Sequence, residues 1–155
     1  MKQKQTTLLF IFKDNQILLA EKKRGFGVGL FNGIGGKIEP GETPEQGMIR
    51  ETQEEIGVTP LDFQYVGKIT FKFGGPDATN QEITSIFTTQ NYAGEIIETE
   101  EMRPSWFDID KIPYNKMFSA DKIWLPEIIK GNKINGTVVF DPAFNVLDSN
   151  IEIID

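Results

Sequence analysis

The sequence predicts an α+β domain. Three observations carry this: apolar strand-like runs occupy both ends of the chain, one well-capped helix interrupts them near residue 44, and a second, shorter helical run follows residue 120. TTLLFIF (6–12) and QILLAEK (16–22) flank Lys13-Asp14-Asn15, which predicts a hairpin. YVGKITFKF (65–73) alternates at Ile69, Phe71 and Phe73, and EITSIFTT (82–89) follows a Gly-Gly-Pro-Asp turn signal, so the two should pair antiparallel. SWFDI (105–109), GTVVF (136–140) and VLDSNIEII (146–154) are further strand candidates. Thr43-Pro44-Glu45-Gln46 forms a capping box with proline at the first helical position, and Gly57 supplies a stop, so a helix should cover 44–56. A second helix should start near Ala120, its regularity limited by Pro126.

Composition restricts the chemistry. At 155 residues, 39% apolar and 25% charged, the chain reads as one globular domain over 1–155. It shows no 18-residue apolar run and no leader pattern, so the expectation is a cytoplasmic protein that does not engage a membrane. Cysteine and histidine are both absent, which removes thiol nucleophiles, the commonest general base and the usual zinc ligands. Catalysis would have to run on carboxylates, hydroxyls, lysines or a hard metal ion. A net charge of −7 opposes binding to a nucleic acid polymer, while leaving room for a small phosphorylated ligand held through a cation.

Two stretches carry chemical information. GFGVGLFNGIGGK (25–37) has six glycines in thirteen residues, yet matches neither of the common nucleotide-binding loops; tight turning alone explains part of it. RETQEE (50–55) places Glu51, Glu54 and Glu55 on one stripe of the helix, beside a core stripe of Met48, Ile49, Thr52 and Ile56. Like charges at these spacings destabilise a helix by about 0.2–0.5 kcal/mol per pair, and they lie near the negative end of the helix dipole. A solvated acidic face is one explanation. A bound divalent cation, which would reverse both penalties through hard oxygen ligands, is the other. Gly47 sits one turn before Glu51 at a cost of about 1 kcal/mol relative to alanine, and room for a ligand against the backbone would account for it.

From Gly36 the chain reads G-x5-E-x7-R-E-x-x-E-E-x-G-V, through Glu42, Arg50, Glu51, Glu54, Glu55, Gly57 and Val58, and this resembles the complete box of the Nudix hydrolases of MutT type. Thr52 departs from the more apolar residue usual there. KKRGFGVGLFNGIGGKIEPGET (22–43), EMRPSWFDIDKIP (101–113) and DKIWLP (121–126) extend the resemblance to animal-type oxidised purine nucleoside triphosphatases, the 8-oxo-dGTP diphosphatases. The resemblance implies an α/β/α sandwich around a mixed β-sheet. It also implies Mg²⁺-dependent hydrolysis, with Mn²⁺ able to substitute, of a nucleoside triphosphate to monophosphate and pyrophosphate, which sanitises the nucleotide pool. By the same resemblance, Gly35, Gly36, Glu51, Glu54, Glu55 and Glu101 would serve the metal. Glu54, Glu55, Glu101 and Arg50 would serve catalysis, the general base being open among the three glutamates. Lys22 would approach phosphate, and Thr7, Asn32, Phe71, Phe118, Asp121 and Trp124 would line the base pocket. A monomer is favoured over an oligomer.

Two departures bear on substrate choice. Where the family carries two adjacent aspartates this chain reads Ala120-Asp121, and Phe118 stands in place of a stacking tryptophan. Phe71 and Trp124 also suit an ordinary core, and Arg24 suits a solvated strand end. Another Nudix substrate, such as a nucleotide sugar or dinucleoside polyphosphate, and a nucleotide-sensing module without activity remain alternatives; the intact box acids speak against the second.

Overall fold

The computed structural model describes residues 2–154. Its strands are β1 (Lys2–Lys13), β2 (Gln16–Lys22), β3 (Phe31–Asn32), β4 (Thr59–Leu61), β5 (Gln64–Phe73), β6 (Asn80–Thr89), β7 (Asn91–Ala93), β8 (Met102–Asp108), β9 (Lys133–Phe140) and β10 (Val146–Ile154). Helix α1 spans Pro44–Ile56 and α2 spans Asp121–Ile129. Eight strands form one sheet in the order β10-β9-β5-β6-β1-β2-β3, with β8 also paired to β2, while β4 and β7 form a separate ribbon. β1/β6 and β5/β9 are parallel and the other pairs antiparallel, so the sheet is mixed.

Alternation along β1 assigns the two faces. Leu9 and Ile11 join Met48 and Ile56 of α1 in one buried cluster, whereas Phe10 joins Trp124, Leu125 and Ile128 of α2 in the other. The sheet is therefore sandwiched between the helices. The hairpin turns at Asp14 and Asn15, both at positive φ, as a two-residue connection with primed-turn geometry requires.

The α1 boundaries agree with its sequence signals. Thr43 Oγ1 accepts from the Gln46 N–H at 3.1 Å, Gln46 Oε1 accepts from the Thr43 N–H at 2.9 Å, and Gly57 ends the helix at φ 79°. Two expectations along α1 need correction. Glu55 is buried at 3% exposure rather than lying on an outer acidic stripe, because the 95–101 segment folds over the end of the helix. Gly47 is packed by its own chain: a Cβ there would meet Ile38 and Glu42 at 3.4 Å, so the space beside it holds the loop rather than a ligand.

β1 and β9 are longer than their apolar runs suggest, since polar residues extend them to Lys2 and Lys133. No helix among the described residues is long and apolar enough to cross a membrane.

Candidate active site

The glycine loop is held against β1 by a close backbone approach. The Thr7 N–H donates to the Gly36 carbonyl at 3.0 Å, and the Ile38 N–H donates to Gln5. A Cβ on Gly35 would stand 1.7 Å from the Thr7 carbonyl oxygen, and one on Gly36 would stand 2.6 Å from the Glu51 carboxyl. Glycine is thus required at Gly35 for the loop to lie against β1, while at Gly36 a side chain would displace the Glu51 carboxyl. The Gly36 carbonyl retains one lone pair beyond its bond to Thr7.

Arg50 organises the entrance to this region. Its Nε and Nη2 donate to both oxygens of Glu42 at 2.7 and 3.0 Å, Nη2 donates to the Lys37 carbonyl at 3.0 Å, and Nη1 reaches Glu51 at 2.9 Å and Glu54 at 3.2 Å. A planar guanidinium suits this fork, and it ties α1 to the loop that precedes it. The hydrogen bond from Arg50 holds the Glu42 carboxyl below the usual carboxylate range.

Glu55 has the opposite environment. Burial raises its carboxyl well above the ordinary range, reinforced by Glu51 and Glu101, while Lys22 opposes the rise. Its Oε2 is buried with no hydrogen-bond partner. Glu101 is brought there by backbone contacts: its carbonyl accepts from the Lys23 N–H at 2.9 Å, and Thr99 Oγ1 donates to the Glu55 carbonyl at 2.8 Å. The Glu101 side chain pairs with Arg24 at 3.1 Å, so Arg24 is exposed but not merely solvated.

Of the four carboxylates expected to serve a metal, the fold gathers Glu51, Glu55 and Glu101, while Glu54 is 57% exposed and turned to Arg50. Among the described residues no three carboxylates converge closely enough to hold a cation as they stand. The donor set nonetheless fits a hard cation: an orphaned carboxylate oxygen on Glu55, a cleared space over Glu51 at Gly36, and hard oxygen donors alone.

Two adjoining cavities run away from this point. One of about 470 Å³ is lined by Lys22, Arg24, Gly35, Gly36, Glu55 and Glu101. The other, of about 410 Å³, shares Lys22, Gly35 and Gly36 and continues over the α2 face of the sheet. Thr7, Asn32, Phe71, Phe118, Asp121 and Trp124 all line it, so the structure brings together every residue expected of the base pocket. Phe71 and Trp124 belong to the α2-side core as well, with Trp124 edge-on to Phe10 at 5.8 Å. Asn32 Oδ1 accepts from the Gly33 N–H at 2.8 Å, which leaves its amide N–H₂ for a ligand.

Asp121 lies at the start of α2, 4% exposed, and its Oδ2 is buried without a partner, as are Thr7 Oγ1 and Trp124 Nε1. Burial pushes the Asp121 carboxyl up to about 7. One desolvated acid can therefore retain a proton near neutrality without a second carboxylate beside it.

The sequence reading missed part of this cavity. Phe26 stacks on Phe118 at 5.7 Å and approaches Phe144 at 5.1 Å, and Phe73 bridges Phe144 and Phe140. Lys4 and Glu82 face the same space. Phe73 and Glu82 stood on strands already recognised and share a face through the antiparallel β5/β6 pairing, whereas Lys4 comes beside Glu82 through the parallel β1/β6 pairing, for which no local signal exists.

Comparison with known proteins gives the same picture. The NUDIX domain family model matches residues 2–128. The oxidized purine nucleoside triphosphate hydrolase of Danio rerio is 39% identical over 152 residues, covering 98% of this chain and 96% of that protein. The protein of the same name from Mus musculus is 37% identical over 150 residues, covering 96% and 94%. Among solved structures, a MutT protein from Bacillus halodurans superposes with a TM-score of 0.87 at 22% identity, covering 96% of this chain and 97% of that one, which supports the fold.

Proposed function

This chain belongs to the NUDIX family, and from that premise we propose that it hydrolyses oxidised purine nucleoside triphosphates such as 8-oxo-dGTP to the monophosphate and pyrophosphate. The observation that carries the reading is the continuity of the cleft: buried carboxylates at one end, Lys22 and the Gly35-Gly36 loop at the junction, and an aromatic pocket ending on Asp121. The aromatic compartment suits a flat base, and the carboxylate compartment would suit a polyphosphate once cations are bound there.

The nucleoside would enter between Phe71, Phe118 and Trp124, with Asp121 meeting its polar edge. A guanine-type edge presents N1–H and N2–H₂ donors, which the ionised carboxylate accepts together. Lys22 would contact phosphate where the two cavities join. Members of the family use divalent ions, and Glu51, Glu55 and Glu101, with the Gly35 and Gly36 carbonyls, would hold Mg²⁺ here. Such ions supply charge neutralisation on the polyphosphate and acidify the attacking water.

Burial favours the protonated form of Glu55, so it would take a proton from water only once bound cations balance the negative charge around it. Arg50 acts as a positioning residue: it fixes Glu42, the glycine loop and Glu51 relative to one another. Glu54 is the outer acid of the group and would reach a cation only by leaving Arg50. The one domain needs no partner chain for this chemistry, and a monomer in the cytoplasm is the setting we propose.

A panel of normal and oxidised nucleoside triphosphates in ¹⁸O-labelled water tests the reading. Pyrophosphate and a labelled product should appear, with oxidised purines preferred. Orthophosphate and nucleoside diphosphate as primary products would defeat it.

A further inference from the structure

Glu82 is the one carboxylate besides Asp121 that lines the nucleoside-sized cavity among the described residues. We propose that the Glu82 carboxylate is a specificity-determining contact, accepting a hydrogen bond from the N7–H, the exocyclic amine or the sugar hydroxyl of the bound nucleoside. This rests on the reading that the cleft takes a nucleoside triphosphate.

Strand register places it. Glu82 pairs across β6 with Lys4 of β1 on one side and Phe71 of β5 on the other. All three line the cavity floor, on the sheet face that packs against α2. One row deeper, Thr6 and Thr84 satisfy each other through a 2.8 Å hydroxyl contact, so they offer a ligand little. Glu82 differs: among the described residues it has no ion-pair partner within 4.0 Å and no side-chain hydrogen bond.

Its compartment also discriminates between ligand halves. Glu82 lines the 410 Å³ cavity and is absent from the walls of the 470 Å³ cavity that holds Glu55 and Glu101. On the proposed reading the polyphosphate lies toward the 470 Å³ cavity, so Glu82 meets the base or sugar, which present neutral donors. Partial burial raises the Glu82 carboxyl above its ordinary value, and Lys4 and Lys22 oppose that rise, so the two lysines favour the accepting, ionised form. A half-buried acceptor without a partner gains most from a ligand donor, because bound substrate excludes the water that would otherwise serve it. Asp121 approaches from α2 and Glu82 from the sheet, so the two acids sample different edges of the nucleoside.

Glu82→Met keeps side-chain length and removes the acceptor; Glu82→Gln removes the charge and keeps a carbonyl acceptor. Steady-state kinetics would use 8-oxo-dGTP and three analogues: dGTP without the N7–H, 8-oxo-dITP without the exocyclic amine, and the 3′-deoxy form without the sugar hydroxyl. For 8-oxo-dGTP, Glu82→Met should lower kcat/KM roughly ten- to hundredfold, mainly through KM, with Glu82→Gln intermediate. For the analogue that lacks the group Glu82 reads, the loss should shrink to roughly threefold or less, and which analogue does so identifies the donor. Thermal midpoints of both variants should stay at or above the parent value, since a desolvated carboxylate is removed. An equal loss on all four nucleotides, or none, overturns the inference while the proposed function stands. If the parent protein turns over none of them, the proposed function fails and this inference with it.

Discussion

The two ends of the cleft are built in opposite ways. The acidic end is mostly local: Gly36, Glu42, Arg50, Glu51 and Glu55 lie within twenty residues, a single guanidinium binds Glu42 and Glu51, and only Glu101 is brought from far along the chain. The cavity proposed for the nucleoside is assembled from β1, β3, β5, β6 and α2, with Phe26 and Phe144 added from loops, and its carboxylates Glu82 and Asp121 come from two different elements. A short motif can encode the first, because helix periodicity fixes where its side chains point. Nothing short encodes the second, whose geometry follows from strand order. Changes at the acidic end should therefore abolish turnover of every substrate, and changes at the nucleoside end should alter which substrate is preferred.

The largest effect is expected at Glu55. Glu55→Gln should reduce kcat by roughly a hundred- to ten-thousandfold for all nucleotides, the span of a lost general base. Thermal stability should be kept or raised, because the amide replaces a buried acid whose ionisation burial opposes. Glu54→Gln provides the contrast within the same helix, since its side chain is exposed and paired to Arg50. A smaller loss than at Glu55 separates the inner acid from the outer one; equal losses would mean that Glu54 leaves Arg50 and serves as a ligand of comparable weight. Glu45→Gln, at the first turn of α1 and outside the acidic group, is the control.

Asp121 comes next. Removing its hydrogen-bonding charge in Asp121→Ala should lower kcat/KM for 8-oxo-dGTP by roughly ten- to hundredfold, with smaller losses on nucleotides it does not read. Because its carboxyl titrates near 7, kcat/KM for a guanine-type base, which needs the ionised acceptor, should rise through about pH 7. An adenine-type base presents an acceptor at N1 and needs the neutral acid, so its profile should fall over the same range. This qualifies what Ala120 implies. Loss of the neighbouring carboxylate need not narrow specificity to guanine, since burial alone keeps a proton available. Ala120→Asp tests the point: a pronounced gain toward oxidised adenine would show that the pair does more than desolvation.

A third effect is on stability. The folded protein binds the Asp121 proton more tightly than the unfolded chain, whose aspartate titrates near its ordinary value, so unfolding releases a proton between those two pKa values. Stability should therefore decline as pH rises from about 4 to about 7 and level off above. Other groups titrate in the same window, so the difference between parent and Asp121→Asn isolates the contribution. Thermal midpoints across pH 4 to 8 should show a flatter profile for the variant, and parallel curves would mean that water reaches the carboxyl.

How much of this was legible in the sequence follows the same division. The α1 limits, the Asp14-Asn15 turn and the β2 and β10 limits agree with their local signals, because caps, turn residues and alternation act over a few residues. The resemblance named Thr7, Asn32, Phe71, Phe118, Asp121 and Trp124 for a base pocket, and the fold places all of them around one cavity. Burial of Glu55 was not legible, since helical position alone puts it beside Glu51 and Glu54; the covering segment is forty residues away, held through Thr99. Lys4 and Glu82 were invisible for a related reason, as the β1/β6 pairing spans more than seventy residues.

The smallest expected effect concerns Gly47, where the two explanations of a helical glycine separate cleanly. Were the missing side chain a space for ligand, Gly47→Ala would impair turnover and leave stability little changed. The fold supports another outcome: a Cβ would meet Ile38 and Glu42 at ordinary contact distance, so alanine fits without displacing either. Its helical propensity then acts alone, worth up to about 1 kcal/mol, with a rise of a few degrees in the thermal midpoint. Activity should be unchanged, because Glu42 keeps both its bonds to Arg50. A loss of activity with raised stability would mean that the loop carrying Ile38 and Glu42 must move during the catalytic cycle, which would tie the acidic end of the cleft to motion of the segment that Arg50 holds in place.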